Sequence, residues 1–363
     1  MAPSPLKFTR GVPPPESFPT AALSECAQSV LAKDGDLILQ YGSAGGYAPL
    51  RALIAQQTGV AENQVLLGQG SLQLADFCAR LLIEPGTPVY VEEPTYDRAL
   101  TIYRRARARV VGFPLQADGP DVDVVAARLA SGDRPALFYM IPDFQNPSGS
   151  VLSLEKRRRL AALAQQHGFW IIEDLPYRRL RYRGAALPSL LELAPDRVLQ
   201  MSSYSKLISP GLRVGYMILP DALATRLTKM AEDTYINSSY LNQAIVYEFI
   251  RRGWLEPNIS HLCELYRPRL DAMLAALTAQ MDGLATWLRP DGGFFASLSL
   301  QASVSADALL SCARQANLEL TDGRGFFANG GGDAFIRLPF CALTPPEIAD
   351  AVARLAEVVR QLP

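Results

Sequence analysis

Between two apolar runs, Val198–Met201 and Val214–Leu219, the chain carries Ser203-Tyr204-Ser205-Lys206 and, seven residues past the lysine, Arg213. A lysine held in a turn between strands is partly desolvated, which lowers its pKa and frees an amine nucleophile. Serine hydroxyls and an arginine fork beside it are the donors of a phosphate cradle. An amine nucleophile next to such a cradle suits a phosphorylated aldehyde, and the common biological one is pyridoxal 5'-phosphate (PLP). An ordinary loop with a solvated lysine would use the same residues, and the other loops decide between the two.

Several of those loops also carry candidate residues. Gly70 and Ser71 follow Val65-Leu66-Leu67 and open a helical pattern striped by Ala75, Cys78, Ala79 and Leu82. Glycine admits a close ligand, and free N–H groups at a helix start hold phosphate. Tyr96 follows the run at Val89 and offers a ring to a planar heterocycle. Asn146 lies among the turn formers of Pro142–Gly149. Asp174 follows Phe169–Ile172, and a carboxylate at the end of a buried strand needs a cationic partner such as a protonated ring nitrogen. Tyr177 comes three residues later. Arg337 stands in the apolar run Phe335–Pro339, where a guanidinium is either paired within the protein or awaits a ligand carboxylate. Taken singly, a turn, a rim tyrosine, a capping aspartate and a structural arginine account for these residues equally well.

The elements that must position them alternate. β-rich runs at Val65, Val89, Val110–Phe113, Leu137–Ile141, Phe169–Ile172, Val198–Met201 and Val214–Leu219 are separated by helical patterns such as Leu72–Ile83 and Leu154–His167. This order predicts an α/β fold, a mostly parallel sheet sandwiched by helices, with ligands at the loops beyond the strand C-termini. After Leu219 the pattern turns α+β, with a helix at Ser260–Met281, strands at Gly293–Leu300 and Ala334–Leu338, and a last helix at Pro346–Gln361. A large domain over 42–250 and a small domain from 1–41 plus 251–363 are expected. The arginine runs 104–109, 157–159 and 178–183 read as solvated faces.

Composition excludes other classes. The formal charge of −1 gives no footprint for nucleic acid or an anionic membrane. No apolar run approaches the roughly 20 residues of a membrane span, and the first residues lack the apolar core of a secretory signal. Five scattered cysteines without a C-x-x-C pair suit reduced thiols in a cytoplasm. With two histidines only, a metal site or a Ser-His-Asp triad has no material, and proton transfer falls to lysine.

In this order the loops resemble fold-type I PLP enzymes, specifically class I/II aminotransferases of the aminoadipate/kynurenine branch. The resemblance rests on Gly70-Ser71, Tyr96, the N-P-x-G of Asn146–Gly149, the D-x-x-Y of Asp174–Tyr177, the S-x-S-K-x6-R of Ser203–Arg213 and the late R-L of Arg337, and runs from about Phe8 to the C-terminus. It implies that Lys206 holds PLP as an internal aldimine. Gly70, Ser71, the backbone N–H of Leu72, Ser203, Ser205 and Arg213 would hold its phosphate. Tyr96 would stack on the ring, Asn146 and Tyr177 would bond its phenolic oxygen, and Asp174 would keep its nitrogen protonated. Arg337, with Asn146, would take the substrate carboxylate. Tyr41, in Leu39–Arg51, would reach the phosphate of a neighbouring subunit, giving a homodimer with shared active sites. Substrates would be an L-amino acid and a 2-oxo acid, with 2-oxoglutarate as acceptor. Phe8–Pro13 is similar to the branch's F-x-x-G-x-P, which brings Gly11 to the substrate. Arg10 replaces a frequent glycine there and would stand at the pocket mouth, meeting an acidic side chain, unless it is merely solvated. About thirty residues that relatives carry ahead of this motif have no counterpart, so a shortened substrate lid is expected. Another PLP reaction (decarboxylation, racemisation, elimination or oxidation) would use the same residues. The branch also includes effector domains of transcription regulators, but a helix-turn-helix is not visible here.

Overall fold

The computed structural model describes residues 5–301 and 304–362. Its strands are β1 (Leu6–Phe8), β2 (Val65–Gly68), β3 (Pro88–Glu93), β4 (Arg109–Gln116), β5 (Gly119–Pro120), β6 (Leu137–Met140), β7 (Trp170–Asp174), β8 (Val198–Ser203), β9 (Gly215–Ile218), β10 (Ala285–Trp287), β11 (Phe295–Leu300), β12 (Leu318–Leu320) and β13 (Phe335–Pro339). Eight of them form one sheet in the order β2-β9-β8-β7-β6-β3-β4-β5. Strands β4, β3, β6, β7 and β8 run parallel, as the alternating pattern predicts. β9 runs antiparallel to both β8 and β2, so β8 and β9 pair like a hairpin whose loop carries Lys206.

The sheet is buried on both faces, which is why its strands read as continuous apolar runs. Along β6, Leu137 and Tyr139 join one hydrophobic cluster and Phe138 the other. Helices cover each face, with local signals at their ends. The helix Leu154–His167 begins at a Ser153 cap and stops at Gly168, whose φ of 77° suits glycine. That stop makes His167 a last-turn residue of a surface helix.

A third cluster lies away from the large sheet. It joins Phe8 to Leu270, Leu277, Leu298, Ile336, Leu355 and neighbours, from the sheet β10-β11-β13 and the helices Leu255–Gln280, Ala306–Gln315 and Pro345–Gln361. Residues 5–41 divide between the clusters. Strand β1 pairs with β12, whereas Cys26, Val30 and Ile38 of the helix Thr20–Ile38 belong to the same cluster as the large sheet. The long helix continues through Pro268. All five cysteines are free, and among the described residues no helix is long and apolar enough to cross a membrane.

The arginine run 104–109 is exposed, as the solvated reading expects, whereas Arg157, Arg178 and Arg181 of the other two runs depart from it. Arg157 is 0% exposed and bonds Asp143 at 3.0 Å together with the carbonyls of Leu152, Pro142 and Pro188. Arg178 and Arg181 converge on the same buried Asp143. One carboxylate thus anchors three guanidiniums and fixes the turn that continues to Asn146.

Candidate active site

The Lys206 loop is shaped by its own hydrogen bonds. Ser203 Oγ donates to the Val214 carbonyl and accepts from the Ser205 N–H at 3.0 Å, while Ser203 and Ser205 share a hydroxyl bond of 2.7 Å. Ser209 caps a short turn, Pro210–Leu212, which ends at Arg213 in the left-handed region. Lys206 Nζ donates to the Gly11 carbonyl at 2.8 Å. Burial lowers its pKa from the ordinary lysine value, and the nearby Arg213 and Arg337 charges act in the same direction. A lowered pKa raises the share of free amine.

Around this loop lies an anion cradle. Gly215 is paired with Ser203, and a Cβ on Gly215 would overlap the backbone nitrogen of Ser71. The loop thus abuts the N-terminus of the helix Ser71–Leu82, whose first N–H groups, those of Ser71 and Leu72 included, have no carbonyl within the helix. Gly70 has φ +85°, and a Cβ there would overlap Arg213 Nη2. Arg213 itself bonds the Gln69 carbonyl at 2.9 Å. Gly215 is therefore required by close backbone approach, and Gly70 by its positive φ.

Asp174 ends β7 on the same face as Ile172 and accepts from the Tyr139 hydroxyl at 2.8 Å. Its Oδ1 is buried without a partner among the described residues. Burial pushes its pKa up to about 7, against the lowering by the Tyr139 bond. A buried carboxylate with an open oxygen and no ion pair among the described residues is arranged for a ligand.

A cavity of 390 Å³ is lined by Lys206, Asn146, Tyr177, Tyr96, Gly11, Arg10 and Arg337. Arg337 Nη1 bonds Asn146 Oδ1 at 3.1 Å and Nη2 bonds the Thr9 carbonyl at 2.6 Å, while Nε is unpartnered among the described residues. The guanidinium lies between the rings of Phe295 and Phe326, 4.9 and 4.7 Å from their centroids. Phe326 in turn accepts from the Thr95 N–H through its carbonyl, next to Tyr96. Tyr177 packs its ring on Phe294 and Phe295. Along the segment before the first helix, backbone carbonyls supply the contacts: Thr9 also accepts from Thr321, and Val12 from Cys341 Sγ.

The structure thus brings most of the sequence-derived set together. Tyr41 stands apart, and Leu72 contributes no side chain. Tyr41 is 75% exposed and does not line the cavity of its own chain, and Leu72 is exposed, with only its backbone at the cradle. Sequence reasoning missed Tyr139, Phe295, Phe326 and the Thr9 carbonyl. Only Tyr139 carried a signal, a polar atom in a buried strand, which implies a partner.

The family model for aminotransferase class I and II matches residues 5–355. The chain belongs to the class I and II aminotransferase family. This aminotransferase is 35% identical over 361 residues to the 2-aminoadipate transaminase of Thermus thermophilus, covering 98% of this chain and 90% of that one. Its fold matches a solved α-aminoadipate aminotransferase, also from Thermus thermophilus and bound to N-(5'-phosphopyridoxyl)-L-leucine, with a TM-score of 0.93 at 34% identity over 98% and 92% of the two chains. It also matches the kynurenine aminotransferase of Pyrococcus horikoshii, with a TM-score of 0.95 at 28% identity over 99% and 92%. The fold is that of the fold-type I PLP aminotransferases.

Proposed function

We propose that this aminotransferase moves the amino group of an L-amino acid to 2-oxoglutarate, with Lys206 as the catalytic amine. Its cofactor is pyridoxal 5'-phosphate, and the residues fit that group. Arg213, Ser203, Ser205 and the N–H groups of Ser71 and Leu72 would hold the phosphate, with Gly70 leaving the room. Asp174 Oδ1 would take the ring nitrogen, Tyr96 would stack on the ring, and Asn146 and Tyr177 would bond its phenolic oxygen. When bound, the cofactor supplies an electron sink for the electrons of the Cα–H bond.

The observation that carries the reading is the single cavity onto which Lys206 and Arg337 both open. Arg337 grips the substrate α-carboxylate with the face not committed to Thr9 and Asn146, which fixes Cα relative to Nζ. Lys206 Nζ, whose pKa burial lowers, would take the Cα proton and return it within the site during the transfer. Water would release the 2-oxo acid while the amino group is kept by the cofactor, and a second oxo acid would take that group up and return the water by the reverse path. Arg10 and Arg98 both line the cavity, which supports an acceptor and a donor with a second carboxylate. The likeness to a 2-aminoadipate transaminase makes 2-aminoadipate the first donor to try.

Leu37, Leu39 and Tyr41 form an exposed apolar run, 55, 70 and 75% exposed, that supports a homodimer in which Tyr41 reaches the partner's phosphate cradle. Five free cysteines support a reducing cytoplasm. The separation of the third cluster from the two that pack on the large sheet supports two domains, with the helix Thr20–Ile38 in the large one.

The test is the visible absorbance of the purified holoenzyme. The cofactor band should bleach with an amino donor and return with 2-oxoglutarate, and Lys206→Ala should abolish turnover while phosphate-dependent cofactor binding persists. Turnover retained by Lys206→Ala refutes the assignment, and a band that no amino acid alters refutes transamination.

A further inference from the structure

We propose that Tyr139 is a positioning residue for the reaction: its phenol keeps the Asp174 carboxylate charged and aimed at the cofactor's ring nitrogen. The inference rests on the reading of Asp174 given above.

Tyr139 and Asp174 lie on the neighbouring parallel strands β6 and β7. Tyr139 pairs with Ile172, two residues before Asp174, so the period of two sets all three on one face. The phenol donates to Oδ2 at 2.8 Å, where Tyr139 is 1% and Asp174 5% exposed. Oδ1 is left open. One oxygen is thus tied to the protein and the other is free for a ligand, which fixes the carboxylate's rotation.

The surroundings make this bond decisive. Tyr96 and Tyr103 face Asp174 from the cap and body of the helix Asp97–Arg105, and Tyr177 from the loop after β7. Cys78 stands beyond Tyr103 on the helix Ser71–Leu82. Burial raises all four above their ordinary values, so none is charged at neutral pH. β8 contributes Met201, the register partner of Asp174. With no cation paired to it among the described residues, the carboxylate depends on Tyr139 to oppose the pull of burial toward the neutral acid. Hydrogen bonds to charged acceptors are stronger than neutral ones. Without this one, the proton shared with the ring nitrogen shifts toward Asp174, and the ring loses its hold on electrons.

Tyr139→Phe keeps the ring and its edge contact with Tyr103, 5.9 Å between centroids, and removes only the hydroxyl. Three readouts are taken on wild type, Tyr139→Phe, Asp174→Asn and the double variant: PLP dissociation constant by fluorescence titration, the pH profile of kcat, and KM for the amino donor. Tyr139→Phe should weaken PLP binding by about tenfold and move the acidic limb of the profile up by about one pH unit, since a bond to a charged group is worth that much. KM for the donor should not move. Asp174→Asn should weaken PLP more, and adding Tyr139→Phe to it should change nothing further. Unchanged PLP affinity and an unmoved limb in Tyr139→Phe, beside an impaired Asp174→Asn, overturn the role of Tyr139 alone. Wild-type affinity and kcat in Asp174→Asn overturn the reading of Asp174, and this inference with it.

Discussion

Asp174→Asn should stabilise the cofactor-free enzyme while it disables catalysis. The carboxyl's pKa is pushed from 3.8 in an unperturbed site to about 7 by burial. Between those values the folded state holds a proton that the unfolded chain has released, so this group's contribution to stability falls as pH rises from about 4 to 7 and is flat above. Three units at 1.36 kcal/mol each make about 4 kcal/mol against the wild-type apoenzyme at pH 8. Asparagine is isosteric, still accepts from Tyr139, and carries no charge. The buried Glu92, pushed up to about 8 by the same cause, is present in both proteins and cancels in the difference. The assay is urea unfolding of the two apoenzymes from pH 5 to pH 8. The midpoint of Asp174→Asn should pull ahead by about 1 M over that range, taking a urea slope near the upper end for single domains. Added PLP should reverse the order, because its ring nitrogen gives the wild-type charge a partner. A midpoint difference that does not change with pH would mean that Asp174 carries no buried charge, and the account of its open oxygen would fail.

Gly70→Ala should raise the PLP dissociation constant about tenfold or more, because the left-handed backbone is strained by a side chain and its Cβ meets the Arg213 fork; equilibrium titration reads this, and an unchanged constant would remove Arg213 from the cradle. Phe326→Leu takes one ring from the Arg337 guanidinium, a contact of about 1 kcal/mol, so KM for both amino and oxo acid should rise roughly fivefold with kcat nearly kept. A fall in kcat at constant KM would assign that ring to something other than carboxylate binding. Arg10→Ala should lower the ratio of kcat/KM for acidic over neutral donors, and an unchanged ratio would leave Arg10 a solvated side chain.

Legibility in the sequence followed the range of the interactions. The βαβ alternation places its functional loops at one end of a parallel sheet, so Asn146, Asp174 and Lys206 were readable from the strands that precede them. The helix Leu154–His167 had a serine cap and a glycine stop to mark it, whereas β1 and β12, three residues each, have no periodicity to read. Arg157, Arg178 and Arg181 looked like surface charge because their shared partner, Asp143, lies 14 or more residues away and meets them only after folding. The rings about Arg337 come from β11 and from the turn Gly323–Phe326, joined by no local pattern. Tyr139 hid inside an apolar strand whose other residues are simply core.

The segment Thr9–Val12 touches the site through its peptide carbonyls: Thr9 to Arg337 and Thr321, Gly11 to Lys206, Val12 to Cys341. A carbonyl is the same whatever side chain hangs beside it. Residues 9, 10 and 12 can therefore change identity without losing these contacts, and Arg10 lines the cavity. Selection could retune the preferred substrate at that position in single steps, each leaving a working enzyme behind it, so the wall of the pocket is also its most evolvable part.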